Sequence, residues 1–97
     1  MLQIVNNKSV RGPHFTVTVP NVHKVEYAED GKIATVEIEG GISQPDHLDW
    51  LVYVRTFSGW LPPHDAEKIT DDQRAQILQN ISQALSSLGM PNQLVEP

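Results

Sequence analysis

An Asp-Gly pair at positions 30 and 31 stands between two runs in which apolar and polar residues alternate. The pair is typical of a two-residue type I′ turn, because both of its positions need positive φ angles. Counting outward from this turn places Val25 opposite Val36 and Lys24 opposite Glu37. The first pair falls on a largely apolar face and the second on a charged face, and a shift of one residue would scramble both. The sequence therefore predicts a β hairpin that turns at Asp30-Gly31.

Three further segments predict strands that extend the hairpin into a small antiparallel sheet of about four to five strands. Residues 15–19 alternate apolar and polar side chains, as a half-buried strand does. Residues 51–56 are rich in β-branched and aromatic side chains, and residues 2–5 form a shorter apolar run. We expect residues 8–13 to be a connecting turn and residues 40–47 to be a loop, because both contain glycine and proline.

The last third of the chain predicts one amphipathic helix, beginning near Asp71, that packs on the sheet. Thr70 and Gln73 have the spacing of a capping box. An apolar stripe follows at helical spacing, formed by Ile77, Leu78, Ile81, Ala84, Leu85 and Leu88. Gly89 predicts the helix end, and we expect residues 92–97 to be a frayed tail. Strands followed by one helix predict a single α+β domain that spans residues 1–97.

Composition excludes several kinds of site and partner. The 97 residues include no cysteine, so disulfides, thiolate metal sites and cysteine nucleophiles are excluded. The net charge of −5 argues against direct binding of nucleic acid, since phosphate contacts need clustered Lys and Arg. Eight of the twelve acidic residues but only two of the seven basic ones lie between Glu37 and Asp72. This segment is interpreted either as an acidic face for a basic partner or as ordinary solvation of loops and a helix start.

The N-terminal sequence predicts where the protein is found. Residues 1–8 have neither the basic start nor the apolar stretch of a signal peptide. The longest apolar run, residues 50–54, is much shorter than the roughly 20 residues that a membrane span needs. We therefore expect a cytoplasmic protein without a membrane partner.

Histidines and carboxylates are the candidates for chemistry. His47 and His64 each neighbour an aspartate, but neither pair has the spacing of a metal motif. Glu37 and Glu39 share a strand face, yet Lys24 is expected opposite Glu37, which is typical of a solvated charge ladder. The sequence contains no nucleophile elbow and no phosphate-binding glycine loop. We therefore expect a protein that is not an enzyme and has no cofactor and no metal.

The segment from Phe57 to Glu67 is the candidate interaction site. It combines a tryptophan and two consecutive prolines with acidic residues, and such a stiff aromatic loop can anchor a protein interface. The alternative is structural, with Trp60 filling the gap between sheet and helix. The predicted partner-binding residues belong to this loop and to the acidic stretch before it, and they are Asp46, Asp49, Trp60, His64, Asp65 and Glu67.

A strand, an aromatic loop and a capped helix follow one another between about Val52 and Leu88. The shared features are the strand at residues 51–56, then Trp60, Pro62-Pro63, the Asp65/Glu67 pair, and a helix that opens Ile69-Thr70-Asp71-Asp72 and continues through Ile77–Ile81 to Ala84-Leu85. In these features the chain resembles bacterial immunity proteins of polymorphic toxin systems, notably the immunity protein 74 family.

This resemblance implies a cytoplasmic antidote, of the kind found in contact-dependent inhibition, that binds a cognate toxin domain and blocks it by forming a stoichiometric complex. Many such toxins are nucleases with basic clefts, which an acidic partner would suit. Two other functions stay open from the residues alone. One is a small non-catalytic adaptor or accessory domain of a bacterial or phage assembly, and the other is a metal-binding domain that uses His47, His64 and nearby aspartates.

Overall fold

A computed structural model, which describes residues 2–40 and 49–96, shows an α+β fold in which one helix packs on a sheet. The described residues contain seven strands, a short 3₁₀ turn and one α helix. In chain order they are β1 (Gln3–Asn6), β2 (Ser9–Arg11), β3 (Phe15–Asn21), β4 (Lys24–Glu29), β5 (Lys32–Glu39), β6 (Trp50–Tyr53), the 3₁₀ turn (Val54–Thr56), α1 (Asp71–Ser87) and β7 (Asn92–Val95).

The strands lie side by side in the order in which they occur in the chain. Each strand from β1 to β5 pairs antiparallel with the next. β7 runs parallel to β6, because the chain crosses from one to the other through α1. Parallel neighbours need such a crossover, and a helix usually supplies it. The crossover places α1 over one face of the sheet.

The hairpin between β4 and β5 is confirmed with the predicted register. Val25 lies opposite Val36 and Lys24 lies opposite Glu37. Asp30 and Gly31 have φ angles of 52° and 77°, as a type I′ turn requires. Turn chemistry and the sorting of side chains to two faces therefore identify the same pairing.

The core lies between α1 and the sheet face that it covers. The strands contribute alternate residues, and the helix contributes its predicted apolar stripe. The most completely buried large side chains are Tyr27, Phe57, Ile81, Leu85, Val10, Val17, Val25, Val36 and Val52. The single helix α1 covers one face of the seven-stranded sheet, and the described residues leave the opposite face uncovered.

The prediction of four to five strands is wrong, because the sheet has seven. β2 lies inside residues 8–13, which were expected to be a turn. Only its central residue, Val10, is buried, so three residues show too little alternation to indicate a strand. Pairing with β1 on one side and β3 on the other makes it part of the sheet.

The prediction of a frayed tail is wrong for Asn92–Val95, which form β7. The Asn92 side-chain amide donates to the carbonyl oxygens of Ser82 and Met90, both at 3.0 Å. The Trp50 backbone N–H donates to the Pro91 carbonyl at 2.6 Å. The bonds from Asn92 to Ser82 in α1 and from Trp50 in β6 to Pro91 join residues that are distant in sequence, and they hold the segment on the sheet edge.

The strand predicted at residues 51–56 ends at Tyr53 and continues as the 3₁₀ turn. The Thr56 hydroxyl donates to the Tyr53 carbonyl and accepts from the Glu37 backbone N–H, both at 2.7 Å. The Thr56 side chain therefore accepts the hydrogen bond from the Glu37 N–H of β5, which a backbone carbonyl would have accepted if β6 had continued. The turn then directs the chain away from β5.

The capping box at the start of α1 is confirmed. The Thr70 hydroxyl accepts from the Gln73 N–H at 3.1 Å, and the Gln73 side chain accepts from the Thr70 N–H at 2.9 Å. Asp71 and Asp72 occupy the first turn, where the helix dipole favours negative charge. Gly89, with a φ of 76°, follows the helix end as predicted.

Replacing Thr70 by alanine should lower the free energy of unfolding by about 1 kcal/mol, because the Gln73 N–H loses its acceptor. A thermal melt followed by circular dichroism measures the change. Gln79→Ala is the matched control, since Gln79 is exposed on the same helix, and it should stay within about 0.5 kcal/mol of wild type. A Thr70→Ala melt identical to wild type would show that the box does not stabilise α1.

Candidate protein-binding surface

The loop that carries most of the predicted binding residues lies beside the first half of β5. Trp60 forms an isolated antiparallel bridge with Ala34, and the Leu61 N–H donates to the Ile33 carbonyl at 2.7 Å. The loop thus takes the position beside β5 that β6 leaves when it ends at Tyr53. This backbone pairing fixes where the residues after Trp60 emerge.

Trp60 is buried, with 7% of its surface exposed. Its ring centroid lies 6.3 Å from that of Tyr27, and the Lys32 ammonium lies over the indole, 5.4 Å from the ring centroid. The indole is therefore part of the core and packs against residues of β4 and β5. A contribution of Trp60 to partner binding stays a prediction.

Glu67 joins the loop to the hairpin. Its carboxylate forms an ion pair with the Lys32 ammonium at 2.7 Å. The hydrogen bond from Lys32 to Glu67 raises the pKa of the lysine, and the nearby charges of Glu29 and Asp30 act in the same direction. The Glu67 side chain is still 51% exposed, so its carboxylate remains accessible from solvent.

His64 and Asp65 lie between the prolines and Glu67. The His64 backbone N–H donates to the Leu61 carbonyl, and its own carbonyl accepts from the Glu67 N–H, both at 3.0 Å. These two bonds fold the loop into consecutive turns. The His64 side chain is half-buried and Asp65 is exposed. The structure therefore brings His64, Asp65 and Glu67 together on one loop above Trp60.

Three carboxylates lie near the Lys32 ammonium, at the turn of the hairpin. Glu29 lies opposite Lys32 in the hairpin, and Lys32 reaches Glu67. We call this region the acidic end, and its carboxylates are those of Glu29, Asp30 and Glu67, together with the exposed Asp65 two residues before Glu67. Glu29 and Asp30 were not among the predicted binding residues, because they precede the acidic segment in sequence. The sequence places them at the hairpin turn, but only the fold shows that this turn lies near the loop that carries Glu67.

Asp49 lies away from the acidic end, immediately before β6. Gln93 donates to its carboxylate at 3.0 Å. β6 pairs with the last residues of β5, whereas Trp60 pairs near the start of β5. About seven residues along the strand direction therefore separate Asp49 from the bridge between Trp60 and Ala34, which is roughly 23 Å. Asp46, like His47 and most of the loop predicted at 40–47, lies outside the described residues.

Residues 2–40 and 49–96 contain no group of three or more His, Asp or Glu side chains that could hold a metal ion. The one helix in these residues is not long and apolar enough to cross a membrane.

The described residues thus form a small α+β fold with an acidic surface around Lys32. Comparison with protein families finds a match between residues 16–93 and the model of immunity protein 74, and the chain belongs to this family. The match covers most of the chain and confirms the resemblance predicted between about Val52 and Leu88, while extending it across the hairpin. No curated protein and no solved structure matches the chain.

Proposed function

We propose that the protein binds a cognate bacterial toxin domain and neutralises it by forming a stoichiometric complex in the cytoplasm. Membership of the immunity protein 74 family is the observation that carries this proposal. The acidic end supports it, because its four carboxylates attract a basic partner and raise the rate of association. A basic nuclease domain is a partner of the right charge. In this proposal the protein acts by binding and not by catalysis.

Asp65 and Glu67 are the proposed centre of the binding surface. Asp65 is exposed, and Glu67 is accessible although it pairs with Lys32. Backbone bonds to β5 and between loop residues hold this segment in place, so it loses little conformational entropy when it binds. We propose His64 as a neighbouring contact and Trp60 as the support beneath them.

Asp49 and Asp46 are proposed as contacts at a second place on the surface. A standard interface covers about 800 Å² on each partner. Asp49 lies roughly 23 Å from the loop along β5, so only a partner that spans the sheet would touch both. Asp49 is therefore expected to contribute less than Asp65 and Glu67.

Reversing the charge of Asp65 and Glu67 should weaken toxin binding by about 30-fold, which corresponds to about 2 kcal/mol. The variant is Asp65→Lys/Glu67→Lys. The partner to use is the product of the neighbouring open reading frame, co-expressed with the protein. Isothermal titration measures the affinity, and survival of toxin-expressing cells measures neutralisation. Thermal stability should change little, because an exposed ion pair contributes about 0–1 kcal/mol.

Glu37→Lys/Glu96→Lys is the matched control. Both glutamates are exposed and lie outside the acidic end, and the double substitution changes the net charge by the same amount. The control should keep nearly full affinity. Added salt should weaken the wild-type complex more than the complex of the Asp65/Glu67 variant. If Asp65→Lys/Glu67→Lys and the control lose the same toxin affinity, the acidic surface is not localised at the loop. If the wild-type protein forms no complex with the toxin, the proposed function is wrong.

A further inference from the structure

The strand β1 forms one edge of the sheet and pairs only with β2 among the residues that the structure describes. All four of its residues are exposed. An edge strand leaves a row of backbone N–H and C=O groups free to pair with another strand. Natural edge strands are commonly protected by charged residues or proline, and Gln3–Asn6 contain neither. This edge is therefore open to a further strand.

A row of core side chains runs across the sheet and ends at this edge. Residues directly opposite each other in an antiparallel pair share a face of the sheet and pack together. The strand pairings place one such row on the face that α1 covers, in the order Trp60, Ala34, Tyr27, Val17, Val10 and Ile4. The first five are at most 7% exposed, whereas Ile4 is 55% exposed. The core row thus stops at an exposed isoleucine on an open edge.

The distribution of charge favours a second copy of this chain at this edge. The protein carries a net charge of −5, yet residues 1–25 contain no Asp or Glu. Along the strands, the first carboxylate is that of Glu26 in β4, three strand spacings from β1 or about 14 Å. The Debye length is about 8 Å at physiological salt, so repulsion between charges farther apart is largely screened. Two copies of this acidic protein can therefore meet at β1 without bringing the carboxylates of their strands together.

Antiparallel pairing of β1 with the same strand of a second copy is symmetric about a two-fold axis perpendicular to the sheet. With Ile4 opposite the partner's Ile4, both side chains stay on the face of α1, and the core row continues into the second copy. Arg11 lies on β2, so the two Arg11 residues are three strand spacings or about 14 Å apart. The two turns that carry Lys8 lie at opposite ends of the paired strands. The basic residues near β1 therefore do not oppose this contact.

We propose that the protein forms a symmetric dimer by antiparallel pairing of β1 with β1 of a second copy, with the two Ile4 side chains in contact at the axis. This inference does not depend on the proposed function. β5, beside which the Trp60 loop lies, is four strand spacings from β1, or about 19 Å. The dimer therefore leaves the acidic end free for another partner.

The dimer is expected to be weak. β1 has only four residues, and its register with β2 shifts between Ile4 and Asn6, so Val5 lies in a bulge. Short strands and bulges both limit pairing at sheet edges. Two four-residue strands also cover less than the roughly 800 Å² per partner of a standard interface. We expect a dissociation constant on the order of 100 µM.

Sedimentation equilibrium of the full chain at concentrations from about 10 µM to about 1 mM, a range that brackets this constant, tests the proposal. The weight-average mass should rise from the monomer value of 10.8 kDa towards twice that value. In ¹⁵N–¹H NMR spectra recorded over the same concentrations, the backbone amides of Gln3–Asn6 should shift the most. Added salt should not weaken the dimer, because no opposite charges meet across the axis.

Ile4→Lys should stay monomeric over the whole range, because it places two ammonium groups together at the axis. Leu94→Lys is the matched control, since Leu94 is an exposed residue of the other edge strand, β7, and the substitution adds the same charge. The control should dimerise as wild type does. Ile4→Thr keeps a β-branched side chain in β1 and removes much of its apolar surface, so it should weaken the dimer about tenfold while preserving the strand.

A wild-type protein that stays monomeric at about 1 mM would overturn the proposal. So would a dimer that forms equally well with Ile4→Lys and Ile4→Thr, or concentration-dependent shifts that lie outside β1 and its neighbour β2. A dimer that dissociates as salt is added would replace edge pairing with a contact between the basic residues near β1 and the acidic end.

Discussion

A Trp60→Ala variant should lose about 3–5 kcal/mol of its free energy of unfolding. Trp60 is only 7% exposed, and its indole packs against Tyr27 and lies beneath the Lys32 ammonium. Alanine would leave a cavity between the loop and β5 that the backbone bridge to Ala34 prevents from collapsing fully. Urea unfolding followed by circular dichroism measures the loss as a lower midpoint at unchanged slope.

Leu61→Ala is the matched control for Trp60→Ala. Leu61 follows Trp60 on the same loop but is 40% exposed, and its backbone bond to Ile33 does not depend on the side chain. The control should lose less than about 1 kcal/mol. If Trp60→Ala is no less stable than Leu61→Ala, the packing of the indole does not stabilise the fold.

The size of this effect matters for testing Trp60 as a binding residue. A domain of this size has a total stability of about 5–15 kcal/mol, so the alanine variant could be partly unfolded in cells. Loss of toxin protection by Trp60→Ala would then report a smaller folded population. Trp60→Phe keeps most of the buried ring, and its toxin affinity measured on folded protein separates binding from stability.

The features that the sequence predicted correctly have causes within a few residues of one another. The Asp30-Gly31 turn needs only its own backbone angles, and side-chain alternation on either side sets the register. The capping box needs Thr70 and Gln73, three residues apart. Local chemistry of this kind can be read without knowing what packs against it.

The features that were missed depend on contacts between distant segments. β2 has one buried side chain, and β7 is held by bonds from Asn92 to Ser82 and from Trp50 to Pro91. In the candidate site, Glu67 meets Lys32 across 35 residues of sequence, which brings the loop to the hairpin and to Glu29. A charge count along the chain could locate an acidic segment but could not show that the fold separates Asp49 from it.

Arg74 is the clearest example of a role that the sequence does not reveal. A single arginine on a helix is usually a solvated residue. Here its guanidinium donates to the Phe57 carbonyl at 2.6 Å and to the Val54 carbonyl at 2.7 Å, and it lies 4.9 Å from the centroid of the Phe57 ring. α1 therefore holds the 3₁₀ turn and the start of the binding loop through one side chain.

Replacing Arg74 by methionine should lower the free energy of unfolding by about 3 kcal/mol, because two charge-assisted hydrogen bonds of about 1.5–3 kcal/mol each are lost and only part is recovered by water. Methionine keeps the apolar stem, so the change isolates the guanidinium. Arg74→Lys should lose about half as much, since an ammonium lacks the fork that reaches both carbonyls. Urea unfolding again gives the free energies.

Arg55→Met is the matched control, because Arg55 lies in the same 3₁₀ turn with its side chain exposed. It should stay within about 0.5 kcal/mol of wild type. If Arg74→Met and Arg55→Met are equally stable, the bonds to Val54 and Phe57 contribute nothing net. If Arg74→Met is destabilised as expected yet binds toxin normally at low temperature, the loop keeps its shape through its pairing with β5 alone. A loss of affinity in the folded variant would instead show that α1 positions Asp65 and Glu67 through Arg74.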